Sequence, residues 1–208
     1  MPRYGRIDSD YGMRLRSTAT EADGPIYMLN LTRYLPGSAF DVTGDFEALN
    51  QDVNARYAIT VLTSVGATLC FVADVLASTG DWGQIAVVRY PTRRSFLAMA
   101  AQPDFQAWHT RKGEDMERTT VMGVLPVSTL PAKASPRRVL LEIWDGLDPP
   151  LMADGPVTRF DVEGTIVGDG RRWTGARHTA IEPGTPLPLQ RPRPDYQALL
   201  LDPRVERW

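Results

Sequence analysis

The chain holds one cysteine, two histidines and, among 23 basic residues, only two lysines, Lys112 and Lys133. A single cysteine excludes an intramolecular disulfide and any cysteine-built metal cluster. Cys70 lies in the apolar run TLCFVADVL, where it reads as a buried structural thiol. The histidines, His109 and His178, are distant in sequence, which argues against a structural zinc site. Positive charge is not in surplus either. The formal net charge is −2, so no nucleic-acid partner is expected, and the arginine bias reads as a feature of the source genome. No apolar run is long enough to span a bilayer, and MPRYGRIDSDYGMRLRS lacks the apolar core of a secretory signal. No phosphate-cradling GxxxxGK[ST] or GxGxxG occurs, and no GxSxG nucleophile elbow. The expectation is a cytoplasmic protein without membrane, metal or nucleotide.

What is present is patterned structure. With 208 residues and 43% apolar side chains, the chain holds one large domain or two small ones. Residues 1–24 are polar and arginine-rich, and read as a loosely held arm or one that crosses to a partner, anchored by Tyr4, Tyr11 and Met13. IYMLNLTRY follows as a strand apolar on both faces. Phe46, Leu49, Val53, Tyr57 and Val61 recur at helical spacing behind a capping Asp45, and Gly66 fits the stop. Strands are predicted at 68–76, 84–90 and 119–125. Thr92 caps a helix between the last two, and Pro103 opens a second. The order β-α-β-β-α-β is the ferredoxin-like split βαβ motif.

PVSTLPAKASP, residues 126–136, reads as a linker. The remainder, 137–208, reads as a degraded copy of 25–125. RVLLEIWDG echoes IYMLNLTRY, and Arg172–Trp173 echoes Asp81–Trp82. Phe96, Pro103 and Trp108 match Tyr196, Pro203 and Trp208 at one constant spacing, which predicts a helix near 195–208. The copy then lacks its first helix and its fourth strand. The fold class expected is α+β, two tandem ferredoxin-like repeats with the second truncated. A sheet face that has lost its helix must be covered by the arm, a second subunit or a ligand; a homodimer is favoured.

The strand at Tyr27 to Leu31, the turn at Val88 to Thr92 and the segment Pro103 to Gln106 together resemble an uncharacterised family of the dimeric α/β-barrel superfamily. The resemblance spans roughly residues 25–125 and implies ferredoxin-like sheets that pair into a barrel. In this chain the pairing would be an intramolecular pseudo-dimer. The superfamily includes cofactor-independent monooxygenases, lactone isomerases, polyketide cyclases and haem proteins. The family's His-Arg pair has no counterpart here, where Arg111–Lys112 stands and the histidine falls two residues early, at His109.

Superposing the halves aligns Asn30 with Glu142 and Asp74 with Glu163, so the four are candidates to converge on a barrel interior or mouth. A carboxylate in an apolar cavity is suited to acid or base work, although strand-end residues facing water would look the same. Glu142, between Leu141 and Ile143, is the most suggestive. Arg177 and His178 are adjacent on a strand and must face opposite sides; the histidine suits proton transfer and the arginine suits an anion. Glu142, His178 and Asp74 are thus the catalytic candidates. Asn30, Arg177, Glu163, Trp144 and His109 are the substrate-binding ones. The reaction expected is isomerisation, cyclisation or cofactor-free oxygenation of an apolar cyclic or polyketide-like metabolite. A ligand-binding or interaction module is the alternative, and a haem protein, with His109 as axial ligand, the third.

Overall fold

Strand pairing closes this chain on itself. The structure, a computed structural model, describes residues 5–38, 53–130, 138–187, 189 and 193–208, with the side chains of 53–58 left aside. Its elements are β1 (Arg6–Ile7), α1 (Ser9–Ser17), a 3-10 turn (Thr20–Ala22), β2 (Ile26–Tyr34), α2 (Val53–Ser64), β3 (Thr68–Ser78), β4 (Gln84–Tyr90), α3 (Arg93–Ala100), α4 (Pro103–Asp115), β5 (Met116–Pro126), β6 (Arg138–Trp144), β7 (Val157–Gly168), β8 (Gly175–Ile181) and β9 (Tyr196–Glu206). Asp45, Phe46, Leu49, Tyr57 and Tyr4 lie outside the described residues or side chains, as does most of the expected linker.

Eight strands run in the order β7-β5-β2-β4-β3-β9-β6-β8, and β8 pairs back onto β7, so the sheet is a closed antiparallel barrel. The short β1 adds to the same edge of β7, beyond the end of β8. Closure leaves no unpaired strand edge within the ring. Strand alternation sets the two faces. In β2, Tyr27, Leu29 and Leu31 point into the barrel, while Ile26 and Met28 point out under the helices. Helices α1, α2, α3 and α4 gather on the side built by the first half of the chain. Asp8 caps α1, accepting from the Tyr11 amide at 2.9 Å, and Thr92 caps α3 through the Ser95 amide at 3.0 Å.

The expected fold class is corrected. The molecule is one eight-stranded antiparallel barrel with few helices, not two ferredoxin-like α+β units assembled as a dimeric α/β-barrel. The error lies in the last segment. Residues 196–206 form a strand, not a helix, with β9 hydrogen-bonded to β3 on one side and β6 on the other. Its run Ala198–Leu199–Leu200–Leu201 is apolar on both faces because both are covered, which a helical periodicity cannot distinguish over so short a length. Pro203 sits beside a register shift against Ala73, where a missing N–H is tolerated. Trp108 and Trp208, matched by spacing, therefore stand on a helix and past a strand end respectively.

The outer face of the second half carries the chain's own loops. Met152, Ala153, Leu187 and Leu189 pack over Leu140, Trp144, Ile181, Tyr196 and Ala198. Residues 5–24 are no loose arm. Tyr11 and Leu15 of α1 are fully buried, against α3 and strands from both halves of the chain, while Met13 is exposed. Tyr11 lies on a floor of two glycines: a Cβ at Gly123 would come within 2.1 Å of its hydroxyl, and one at Gly164 within 2.5 Å of its ring.

Candidate functional site

The barrel lumen is filled mainly by aliphatic and aromatic side chains from the inward faces of its strands. A cavity of about 20 Å³ remains among them, room for a group the size of a single water molecule. Among the described residues that line it, His178 is the one titratable side chain. Alternation on β8 points His178 inward and its neighbour Arg177 outward. The imidazole is 3% exposed, and neither Nδ1 nor Nε2 has a hydrogen-bond partner in the protein. Its ring packs edge-on against Phe71, at 5.7 Å between centroids, and against Trp208 at 5.6 Å. Burial disfavours the imidazolium and, against a smaller opposing pull from the residue's own main chain, brings its pKa from 6.5 down to about 4, so the ring is neutral at physiological pH. A neutral imidazole offers one donor and one acceptor, and here both are unused inside an apolar chamber.

Glu142 is no part of this chamber. It is fully buried, but on the outer face of β6, opposite Arg177 of β8. The guanidinium grips the carboxylate with two parallel bonds, Nε to Oε2 and Nη2 to Oε1, each 2.8 Å. Tyr196 donates to Oε1 at 2.7 Å, and its hydroxyl also lies 2.8 Å from the Met152 sulfur. Arg177 also donates from Nη1 to the Pro149 carbonyl and from Nη2 to the Pro150 carbonyl, at 3.1 and 3.0 Å. Trp144 sits beneath, its ring 5.4 Å from the guanidinium. Burial, reinforced by the Glu142 carboxylate, holds the Tyr196 phenol far above its ordinary pKa. Every strong group in this cluster is engaged, and its effect is to clamp the loop after β6 onto the barrel.

Glu163 belongs to a second cluster of the same composition on the helical side. Arg93 of α3 donates from Nε to both carboxylate oxygens at 3.0 Å and also from Nη2, and Tyr11 donates at 3.1 Å. The Arg93 amide in turn donates to Asp23 at 2.6 Å. This cluster ties α1 and α3 to β7. Asp74 pairs with Arg204 across β3 and β9, Nε to Oδ2 being 2.8 Å. The Asn30 side-chain amide donates to the Met28 and Ala86 carbonyls at 2.8 and 3.3 Å. His109 rests on Phe105 in α4, 5.4 Å between centroids, and burial with nearby Lys112 lowers its pKa.

The expected convergence of Asn30, Asp74, Glu142 and Glu163 is thus not found, because all four fall on the outward set of strand positions. Of the eight candidates only His178 lines the lumen; Glu142, Arg177 and Trp144 are together, but outside it. Sequence reasoning missed Trp208, whose ring enters the lumen, stacked on Phe71 at 5.6 Å and 25°. It missed Tyr196 and Tyr11 as well, since their glutamate partners are 54 and 152 residues away in sequence. The strand reading of 196–206 would have brought Tyr196 beside Glu142; no local signal marks Tyr11 as a partner of Glu163.

Among the described residues no group of three or more His, Cys, Asp or Glu side chains is arranged to hold a metal ion. None of their helices is long and apolar enough to cross a membrane. No protein-family model matches the chain, and no curated protein matches it. Two solved structures are similar over part of its length. A methylated RPA0582 protein shares 18% identity at a TM-score of 0.47, covering 62% of this chain and 98% of that one. RPA0582 from Rhodopseudomonas palustris, a protein of unknown function, shares 20% at 0.46, covering 60% and 99%.

Proposed function

We propose that the protein is a small-molecule-binding barrel whose lumen takes a compact apolar ligand carrying one hydrogen-bonding group, recognised by neutral His178. The observation that carries this reading is the imidazole itself, 3% exposed, with both ring nitrogens unpartnered and directed into an apolar chamber. Burying a polar group without a partner costs about 1–3 kcal/mol. An apolar side chain of similar size would avoid that cost, so a ligand that completes the bond is the economical reason for a histidine here.

Binding is favoured over proton-transfer catalysis. An isomerase, cyclase or oxygenase would have His178 act alone, because Glu142 and Asp74 are engaged by Arg177 and Arg204 on the other face. An imidazole that takes up a proton only near pH 4 is also a weak base at neutrality. The lumen closes within one chain, so this reading needs no second subunit. One buried thiol, Cys70, suits the cytoplasm.

Phenol and toluene differ by one hydroxyl and test the reading directly. Phenol is expected to bind about tenfold or more tightly than toluene, the worth of one buried hydrogen bond, and to shift the NMR signals of Leu29, Val87 and Leu141. His178→Leu is expected to abolish the preference. Equal affinities in the wild type, or shifts confined to the outside of the barrel, would remove the lumen as the site.

A further inference from the structure

A cavity of about 20 Å³ admits no organic ring, so any such ligand must displace a side chain. Among the described residues that line it, ten belong to barrel strands and one does not, Trp208. The ten are carried on strands hydrogen-bonded on both sides, which fix their Cα positions around the lumen. Trp208 follows β9, and the preceding residue is tied down by the Arg207 amide donating to the Cys70 carbonyl at 2.7 Å. The tryptophan as a whole residue is half-buried, and its ring lines the lumen.

Inside, the indole fills a slot suited to a flat ring. It stacks on Phe71 at 25°, meets His178 edge-on at 85°, and lies tilted against Phe160 and Tyr27 at 6.0 and 6.5 Å. The fit is apolar only. The indole Nε1 is buried without an acceptor, and it leaves both His178 nitrogens without a partner. Two polar groups are therefore unpaired in the closed barrel, each at a cost of about 1–3 kcal/mol. An exchange eases both deficits at once: the indole N–H reaches water, and a ligand hydroxyl or N–H bonds to one of the two His178 nitrogens. The stacking on Phe71 passes from one ring to the other.

We infer that Trp208 is a displaceable plug and that the ligand it yields to is a planar aromatic with one hydroxyl or ring N–H, of the phenol or indole class. The inference rests on the lumen being the binding site. Calorimetry with phenol and toluene on the intact chain tests it, using wild type, Trp208→Ala and Trp208→Ala/His178→Leu. Trp208→Ala should bind phenol at least about tenfold more tightly than wild type, because no side chain has to leave. The double variant should bind phenol no better than toluene. In the wild type, phenol should also raise acrylamide quenching of tryptophan fluorescence, a rise absent in Trp208→Phe, which lacks the reporting indole. If wild type binds phenol in a His178-dependent manner and Trp208→Ala binds no more tightly, the plug is overturned and the lumen reading stands. If none of the variants binds either probe, the lumen reading fails and the plug with it. Should Trp208→Ala fold poorly, Trp208→Leu makes the same comparison with more of the slot filled.

Discussion

A histidine buried without a partner ties stability to pH. The unfolded imidazole takes up a proton near pH 6.5, while His178 in the barrel resists until about pH 4. Its neutral form is therefore matched in both states above pH 6.5, and the folded state loses ground as pH falls from 6.5 to 4, by about 3 kcal/mol in all. His109, also lowered by burial, contributes in the same direction. His178→Leu should raise stability at neutral pH by about 1–3 kcal/mol, and its advantage should grow across that acid window; urea melts running parallel to the wild type at every pH would contradict this. Glu142 answers differently. Glu142→Ala leaves Arg177 buried and unpaired, an expected loss of about 3–5 kcal/mol, whereas Glu142→Leu with Arg177→Met should recover most of it and leave phenol binding unchanged. At this scale much was legible. Period-2 geometry separates His178 from Arg177, and Leu141 and Ile143 mark Glu142 as buried. What was not legible is which face of β6 turns inward, because both faces are apolar when loops cover the outer one.

Elements depend on contacts between distant segments. Helix α1 is held by Tyr11, seated on Gly123 and Gly164 and bonded to Glu163. Gly164→Ala places a methyl 2.5 Å from that ring, an overpacking that should cost about 1–3 kcal/mol. Amide exchange in α1 should accelerate while the barrel strands stay protected; uniform acceleration would mean that α1 is integral to the barrel's cooperativity. The strands β2 and β4 and the Thr92 cap could be read locally because they follow from β-formers, a proline stop and a capping hydroxyl. Strand β9 could not. Its leucines satisfy a buried strand and a buried helix alike, and only pairing with β3 and β6 decides. Arm and covering loops were misread for the same reason: their partners lie far along the chain.

Closure of the whole sheet creates the chamber. Strands from both halves contribute to one lumen, so His178 of β8 meets Phe71 of β3 across it, and binding there should stabilise the entire barrel rather than one segment. Phenol should therefore raise the midpoint of a single cooperative unfolding transition, and toluene should raise it less. Recognition in this chamber falls to one ring, and nitrogen NMR of the His178 imidazole reads its state. At neutral pH the ring nitrogens should report a neutral imidazole, and added phenol should move one of them by hydrogen bonding while the ring stays uncharged. An imidazolium at neutral pH, or ring nitrogens indifferent to saturating phenol, would contradict the assignment of His178 as the recognition group of the lumen.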